Sequence, residues 1–307
     1  MKYKATNKQL KIFRRYTTIN ILKISFLVFT SVMFMECGNP DVNINNAPYE
    51  PKIAVEGYLY CGEPVKNFRL MRNFALGVQI DTSRLYLTPS RNNVIVTING
   101  TPLNFDPLTN SYYNNQMIID YGKTYTLEVS ATIEGKELHT SSSTTTPQKG
   151  FAILNRNLGQ YKYNGAPIKV VFKVSPGTEF YALSIVSDTA NPNNFIYNNV
   201  LRNNIDSTDV EKDLNDLRFR RQILDNIDSY SGNTYSLIIN VRDTWFYSTY
   251  TLTAYAGDTN FKDYFITAPS VQEFDGNFHE PIQIFDGGGI GVFASAIRDT
   301  ATFSIVK

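Results

Sequence analysis

Short runs of alternating apolar and polar residues constrain the fold of this chain more than any other feature. Residues 52–59 alternate in the way that a half-buried strand does. The pairs Asn99-Gly100 and Glu134-Gly135 supply tight-turn signals. Short strands separated by turns predict a sandwich of sheets rather than an alternating α/β fold. We expect further strands at residues 67–71, 94–99, 116–120, 124–133, 136–142, 168–174, 181–187, 234–241, 247–255 and 302–306.

The composition agrees with a β protein. The chain contains 20 Tyr and 20 Phe, and aromatic residues favour strands. A Ser/Thr run at residues 141–146, closed by Pro147, is interpreted as a domain boundary. We therefore predict a mainly β fold of two tandem β-sandwiches, immunoglobulin- or fibronectin-like, over residues 51–147 and 148–307.

Two segments of the second half have helical spacing. Residues 208–211, Thr-Asp-Val-Glu, match a capping box, and apolar residues continue from there at Val210, Leu214 and Leu217. A second apolar stripe precedes Pro269, which is expected to end or bend the helix, and consists of Phe261, Tyr264, Phe265 and Ala268. We predict two short helical insertions that lie against a sheet.

The tetrapeptide Thr-Tyr-Thr-Leu occurs twice, at residues 124–127 and 249–252. Two interpretations are open. The repeat indicates two related sandwiches, or it reflects two similar amphipathic strands. The second interpretation is preferred for so short a match.

The N-terminus has the pattern of a bacterial export signal. Residues 1–23 contain seven basic and no acidic residues, and an apolar run of about a dozen follows, shorter than the roughly 20 that a membrane-spanning helix needs. Cys37 then stands in a position typical of lipid attachment. Glu36 occupies a place where a small residue is preferred, so an uncleaved or differently cleaved signal is the alternative. We predict a signal peptide over residues 1–36, lipidation of Cys37 and a flexible tether over residues 37–50.

Cysteine usage excludes an internal disulfide in the mature chain. The sequence has 2 Cys. If Cys37 carries lipid, Cys61 has no intramolecular partner. No histidine is near Cys61 in the sequence, so we expect a buried, unreactive thiol.

Several kinds of site are disfavoured by composition and spacing. The formal net charge of +1 gives no concentrated basic surface for nucleic acid. The two histidines, His139 and His279, have no cysteines at metal-ligand spacing, so we predict no metal site and no cofactor. A glycine run resembles a phosphate loop, but a strand-like segment follows it where a helix is needed. We interpret these glycines as a tight turn or bulge beside the core, with structural roles for Gly287, Gly288, Gly289 and Gly291.

Catalytic residues are not predicted. Neither histidine adjoins a nucleophile-elbow pattern. A pair of carboxylates could cleave glycosides, but we favour a solvated face for the acidic cluster Asp258, Asp263, Glu273 and Asp275. Aromatic residues in Asn-rich segments are candidates for stacking on sugars or gripping a partner, with ordinary packing as the default: Tyr112, Tyr113, Phe195 and Tyr197. Residues 191–204 are the most plausible binding loop, since they are long for a connector.

Four motifs in order resemble one known family. Residues 51–58 follow the lipobox, residues 122–127 match a G-x-T-Y-x-L strand, residues 231–237 match a second strand of this kind, and residues 280–293 carry a glycine-rich C-terminal motif. Together they resemble the domain-of-unknown-function 4249 family of Bacteroidota lipoproteins. In that C-terminal motif, Asp286 or a neighbour replaces the usual Asn. The resemblance implies an outer-membrane lipoprotein whose gene often lies beside those of TonB-dependent receptors, and it implies no catalytic residues.

These observations lead to one favoured function. We expect a non-enzymatic protein of the cell envelope, held at the outer membrane by its lipid, that assists a TonB-dependent receptor in nutrient uptake and binds no nucleic acid. A carbohydrate-binding or adhesive surface module is the alternative. A hydrolase is the least favoured hypothesis.

Overall fold

The computed structural model of the protein describes residues 49–75, 78–178, 180–197, 206–224, 233–267, 282 and 284–307. The predicted signal peptide, Cys37 and nearly all of the predicted tether lie outside these ranges. The strands are β1 Ile53–Tyr60, β2 Pro64–Arg72, β3 Ile95–Ile98, β4 Thr101–Pro102, β5 Asn104–Asp106, β6 Ser111–Ile118, β7 Thr124–Ile133, β8 Lys136–Thr145, β9 Ala152–Ile153, β10 Asn157–Lys162, β11 Ile168–Lys173, β12 Phe180–Ser187, β13 Phe219–Leu224, β14 Thr234–Ile239, β15 Thr249–Gly257 and β16 Ile290–Val306. The helices are α1 Pro89–Asn92, α2 Ser207–Lys212, α3 Leu214–Arg218 and α4 Thr259–Thr267.

The strands form two sandwiches on one shared sheet. The shared sheet has the order β13-β12-β15-β16-β1-β2-β6-β5, with β10 also paired to β16. A four-stranded sheet, β4-β3-β7-β8, covers its first half over a core that includes Phe68, Leu127 and Phe293. A three-stranded sheet, β14-β11-β9, covers the second half over a core that includes Phe172 and Leu252. The predicted mainly β sandwich fold is confirmed.

Strand β16 belongs to both sandwiches. Its first part pairs in parallel with β1, from Ile290 opposite Ala54 to Ala296 opposite Tyr60. From Ala296 onward it pairs in antiparallel fashion with β15. The predicted boundary after Pro147 is therefore crossed by the last strand, and residues 50–307 form one compact unit. The boundary itself stays a prediction.

The repeated Thr-Tyr-Thr-Leu tetrapeptide makes the same kind of contact in both sandwiches. The hydroxyl of Tyr125 accepts a hydrogen bond from the N–H of Asp120, five residues upstream, at 2.8 Å. The hydroxyl of Tyr250 accepts from the N–H of Phe246 at 2.9 Å and donates to its C=O at 2.8 Å. Such a tyrosine corner is typical of β-sandwiches. Tyr181 makes the same kind of contact outside the repeat, with the N–H and C=O of Ser175 at 2.9 and 3.1 Å, so the contact does not distinguish the two interpretations.

The helices lie where the sequence spacing places them, with one shift. The first predicted helix is split into α2 and α3, and its N-cap is Asp206 rather than Thr208, because the Asp206 carboxylate accepts from the N–H groups of Thr208 and Asp209. Helix α4 packs its Phe261 against Ala294 and Ala296 on the outer face of the shared sheet. Ala268 and Pro269 lie outside the described residues. Within the described ranges, the helices are all too short or too polar to cross a bilayer.

The Ser/Thr run interpreted as a boundary segment belongs largely to strand β8. Its alternate hydroxyls are buried, and each has a partner. Thr140 donates to the C=O of Asp286 and Ser142 to the C=O of Ile284, both at 2.6 Å. Thr144 contacts Asp258 and Ser295. The hydroxyl row thus fastens the C-terminal part of the chain onto the first sandwich.

The glycine run forms the turn that leads into β16. Gly291 has a φ of +106°, and a Cβ there would clash with the C=O of Val55 on β1. Gly289 has no positive φ, but a Cβ there would clash with the side chain of Thr140. The remaining two, Gly287 and Gly288, have φ values of +73° and +84°. The turn therefore needs glycine for backbone conformation at some positions and for close approach at others.

We predict that Gly289→Val destabilises the protein by at least about 1 kcal/mol, because the added side chain overpacks the contact with Thr140. Urea unfolding of the full chain measures the change. Gly288→Asn is the matched control, since a Cβ at Gly288 meets no heavy atom within 4 Å and Asn tolerates left-handed backbone. A Gly289→Val variant as stable as this control would contradict the packing argument.

Candidate functional site

A groove of about 540 Å³ lies beside the N-terminus of helix α4. We call it the junction groove. Its lining comes from residues 145–148 at and beyond the end of β8, residues 176–178 before β12, residues 257–259 between β15 and α4, and from Phe180 and Lys262. Residues of both predicted domains therefore contribute to it. Its volume lies within the range of small-molecule and peptide sites, roughly 300–1,000 Å³.

Asp258 is the central charged residue of the groove wall. It directly precedes α4, and its carboxylate accepts from the N–H of Phe261 at 2.9 Å, as an N-cap does. The same carboxylate accepts from the N–H of Ser295 on β16 at 3.1 Å and from the hydroxyl of Thr144 on β8. The N–H of Asp258 donates to the C=O of Ser295 at 2.9 Å. One side chain thus connects a helix and both sheets of the first sandwich.

Burial raises the pKa of the Asp258 carboxyl, although the hydrogen bonds from Thr144, Ser295 and Phe261 oppose this shift. This finding corrects the interpretation of Asp258 as part of a solvated acidic face. Asp263, one turn along α4, is half-buried. Glu273 and Asp275 lie outside the described residues, so the structure does not bring the predicted acidic cluster together.

The groove has an apolar floor and a polar rim. We call the apolar part of its lining the floor: Phe180, whose ring lies 5.9 Å from that of Phe261, with Gly257 and the exposed Pro176. The rim carries Thr145 and Lys262. Such a combination can hold an amphipathic ligand by contact area and a few placed hydrogen bonds.

Two of the four predicted binding aromatics are core residues. Tyr112 is 1% exposed, and its hydroxyl donates to the C=O of Leu87 at 2.9 Å. Phe195 is 4% exposed and packs edge-on against Phe246 at 5.4 Å. The expectation that these rings are exposed is corrected, because Tyr112 lies in the buried first part of β6 and Phe195 follows a short 3-10 turn at Pro192–Asn194 that directs it into the core.

The other two aromatics are more accessible. Tyr197 is 41% exposed, and its hydroxyl donates to the C=O of Pro192 at 3.1 Å. Tyr113 is half-buried on β6. The two residues belong to different sandwiches, and neither lines the junction groove. Residues 198–204, the second half of the predicted binding loop, lie outside the described residues, so the binding role of the loop stays a prediction.

His139 has polar neighbours but does not form a hydrolase triad. Its Nδ1 lies 2.8 Å from the hydroxyl of Ser130, its partner across the β7–β8 pair. Its Nε2 lies 3.4 Å from the carboxylate of Glu137. A serine hydrolase uses the opposite order, with Nε2 towards the nucleophile. The side chains of His139 and Glu137 are 66% and 73% exposed, so this is a solvated contact on an open sheet face.

A reactive thiol and a metal site are the remaining chemical candidates. Cys61 is buried, and this burial raises the pKa of its thiol to about 11. A thiol that stays protonated at neutral pH is a poor nucleophile. Among the described residues, no group of three His, Cys, Asp or Glu side chains could hold a metal ion. His279 lies outside those residues.

Sequence reasoning missed the groove because its parts are distant in the chain. Thr145, Thr178 and Lys262 belong to different elements, and none carries a motif. One sequence signal did point to this region. Residues 140–146 carry hydroxyl groups, and hydroxyl groups on the buried face of a strand need polar partners elsewhere in the chain.

Comparisons with known proteins leave the chain without an assigned family. A scan against protein-family models finds no match, and a search of curated proteins also finds none. Among solved structures the chain is similar to the titin domains z1z2 in complex with telethonin, at 10% identity over 85% of this chain and 98% of that one, with a TM-score of 0.19. It is similar to native alpha-2-macroglobulin from Escherichia coli at 8% identity over 85% of this chain and 73% of that one, with a TM-score of 0.20. Scores this low carry no argument, so the fold rests on the strand pairing.

We predict that Asp258→Asn removes one part of the pH dependence of stability. A carboxyl whose pKa is raised by folding contributes stability that is present below its unfolded pKa, about 3.9, and lost as the pH rises through the folded value. The free energy of unfolding of the wild type, relative to Asp258→Asn, should therefore fall as the pH rises above about 4. Urea unfolding between about pH 3 and pH 7 measures it.

The control for this prediction is Asp263→Asn, which removes the same charge from the same helix. The prediction is wrong if the free energy of unfolding of the wild type, relative to Asp258→Asn, stays constant or increases as the pH rises. Either result would contradict a raised pKa of the Asp258 carboxyl.

Proposed function

We propose that this protein is a lipid-anchored protein of the outer membrane that binds a partner or ligand without chemical turnover. The basic N-terminal segment, the short apolar run and Cys37 support the anchor. The motifs that resemble the domain-of-unknown-function 4249 family support the envelope location. The receptor genes that often lie beside those of that family point to a TonB-dependent receptor in nutrient uptake as the partner.

The junction groove is the structural feature that best supports a binding function. The one carboxylate of its lining, Asp258, is half-buried and accepts from three donors, on Thr144, Ser295 and Phe261. A general acid or base must reach the proton it transfers, and these contacts direct the carboxylate into the fold. An apolar floor with a polar rim supports holding a ligand rather than converting it.

The anchor is tested by replacing the predicted lipidated residue. Cys37→Ala should abolish metabolic labelling with a radioactive fatty acid and release the protein from the membrane fraction, because several acyl chains anchor far more firmly than the apolar run alone. Glu36→Ser is the companion variant, and faster processing is expected if Glu36 slows cleavage. Unchanged labelling of Cys37→Ala would contradict lipidation at this residue.

The partner is tested by crosslinking in intact cells followed by purification of the full chain. A β-barrel receptor should be captured, and the yield should fall when Phe180→Ala alters the groove floor; Ile238→Ala, an exposed residue on β14, should leave the yield unchanged. Turnover of a glycan or ester by the purified protein, lost in Asp258→Asn, would contradict the non-enzymatic proposal. Capture of glycan without a receptor would favour the carbohydrate-binding alternative.

A further inference from the structure

Strand β8 is the last strand of the four-stranded sheet, so one of its edges faces away from β7. Alternate residues of such a strand direct their N–H and C=O groups to the free edge. On β8 these residues are Ser141, Ser143 and Thr145. Ser141 exchanges two backbone hydrogen bonds with Asp286, at 3.4 and 2.9 Å. The C=O of Ser143 accepts from the Nδ2 of Asn260 at 2.7 Å.

Thr145 is the third residue of this row, and it lines the junction groove. The N–H of the next residue, Thr146, donates to the C=O of Lys123 at 2.9 Å, on the β7 side. A trans peptide unit directs its N–H and C=O in opposite directions. The C=O of Thr145 therefore points away from β7, and alternation directs its N–H the same way. The described part of the chain supplies no backbone partner to Thr145 at this edge.

The lining of the groove also carries one positive charge. Lys262 lies on the first turns of α4 and is half-buried. Among the described residues, its ammonium makes no ion pair. The carboxylate of Asp258 also lines the groove, but its oxygens accept from Thr144, Ser295 and Phe261. An anionic ligand group beside Lys262 would therefore meet an ammonium that makes no ion pair among the described residues. The nearby carboxylate of Asp258 already accepts from three donors.

We propose that the junction groove binds the C-terminal end of an extended peptide. The peptide backbone adds to the free edge at Thr145, as in β-augmentation, and its terminal carboxylate meets Lys262. The apolar floor at Phe180 and Pro176 receives a side chain of the peptide. This inference rests on the proposed binding function and names the class of ligand; it depends neither on the lipid anchor nor on the receptor.

The edge contact is tested with a fluorescein-labelled Val-Thr-Val tripeptide that has a free carboxylate, titrated against the full chain in detergent and followed by fluorescence anisotropy. Thr145→Pro removes the N–H that faces the groove. Because this N–H makes no bond to β7, proline is tolerated there as on other edge strands. The affinity should fall about fivefold or more, the effect of one lost hydrogen bond. Thr145→Val keeps the N–H, removes only the hydroxyl, and should bind within about twofold of the wild type.

The charge contact is tested with the same tripeptide as free acid and as C-terminal amide. Lys262→Gln should weaken the free acid about tenfold and leave the amide unchanged. Lys169→Gln, an exposed residue on β11 outside the groove, is the matched control and should bind both peptides like the wild type. This pair of peptides decides the proposal even if circular dichroism shows that Thr145→Pro does not fold.

Three outcomes would overturn the inference: no binding of the tripeptide up to millimolar concentration, equal binding of acid and amide by the wild type, or displacement of the tripeptide by maltotriose, which would assign the groove to glycans. Tight tripeptide binding together with no receptor in the crosslinking experiment would support the inference while contradicting the proposed partner.

Discussion

The row of buried hydroxyls on strand β8 is the interaction on which the rest of the structure depends. A buried hydroxyl without a partner is costly, so each member of the row specifies a carbonyl or carboxylate opposite it. Thr140 and Ser142 specify the backbone of residues 284–286, and Thr144 specifies Asp258. An apolar row would tolerate sliding of the C-terminal segment. A row of directional bonds fixes its register, and with it the start of β16 and the position of helix α4.

Asp258 links the register of the C-terminal segment to the position of the groove wall. Its carboxylate joins Thr144 and Ser295 to the first turn of α4. Helix α4 is only nine residues long, too short to be stable on its own. Its position therefore depends on the cap and on Phe261, which packs over the small side chains of Ala294 and Ala296. One half-buried carboxylate and one aromatic ring therefore hold this wall of the groove in place.

The local sequence pattern predicted most of the strands and helices, but it predicted little of the junction groove. Strand β7 was predicted with its observed bounds, and α4 was predicted from its apolar spacing, because both signals lie within one element. Strand β6 was misplaced: it spans Ser111–Ile118, whereas residues 116–120 were expected. Asn pairs are typical of turns, but Asn114 lies inside β6, where its side chain accepts from the N–H groups of Gln116 and Met117. The groove was not predictable, because it depends on which distant segments the hydroxyl row brings together.

The sharing of β16 has a consequence for how this chain is made. Strand β1 is synthesised long before its parallel partner, residues 290–296 of β16. Parallel pairing between distant segments is slow to form, since the intervening loop must close before any contact stabilises it. Until residues 290–296 emerge, the first sandwich exposes the edge of β1 and lacks Phe293 in its core. Newly made chains of this protein should therefore remain dependent on chaperones until residues 290–296 have been made, and a truncation that removes β16 should harm the N-terminal sandwich as much as the second one.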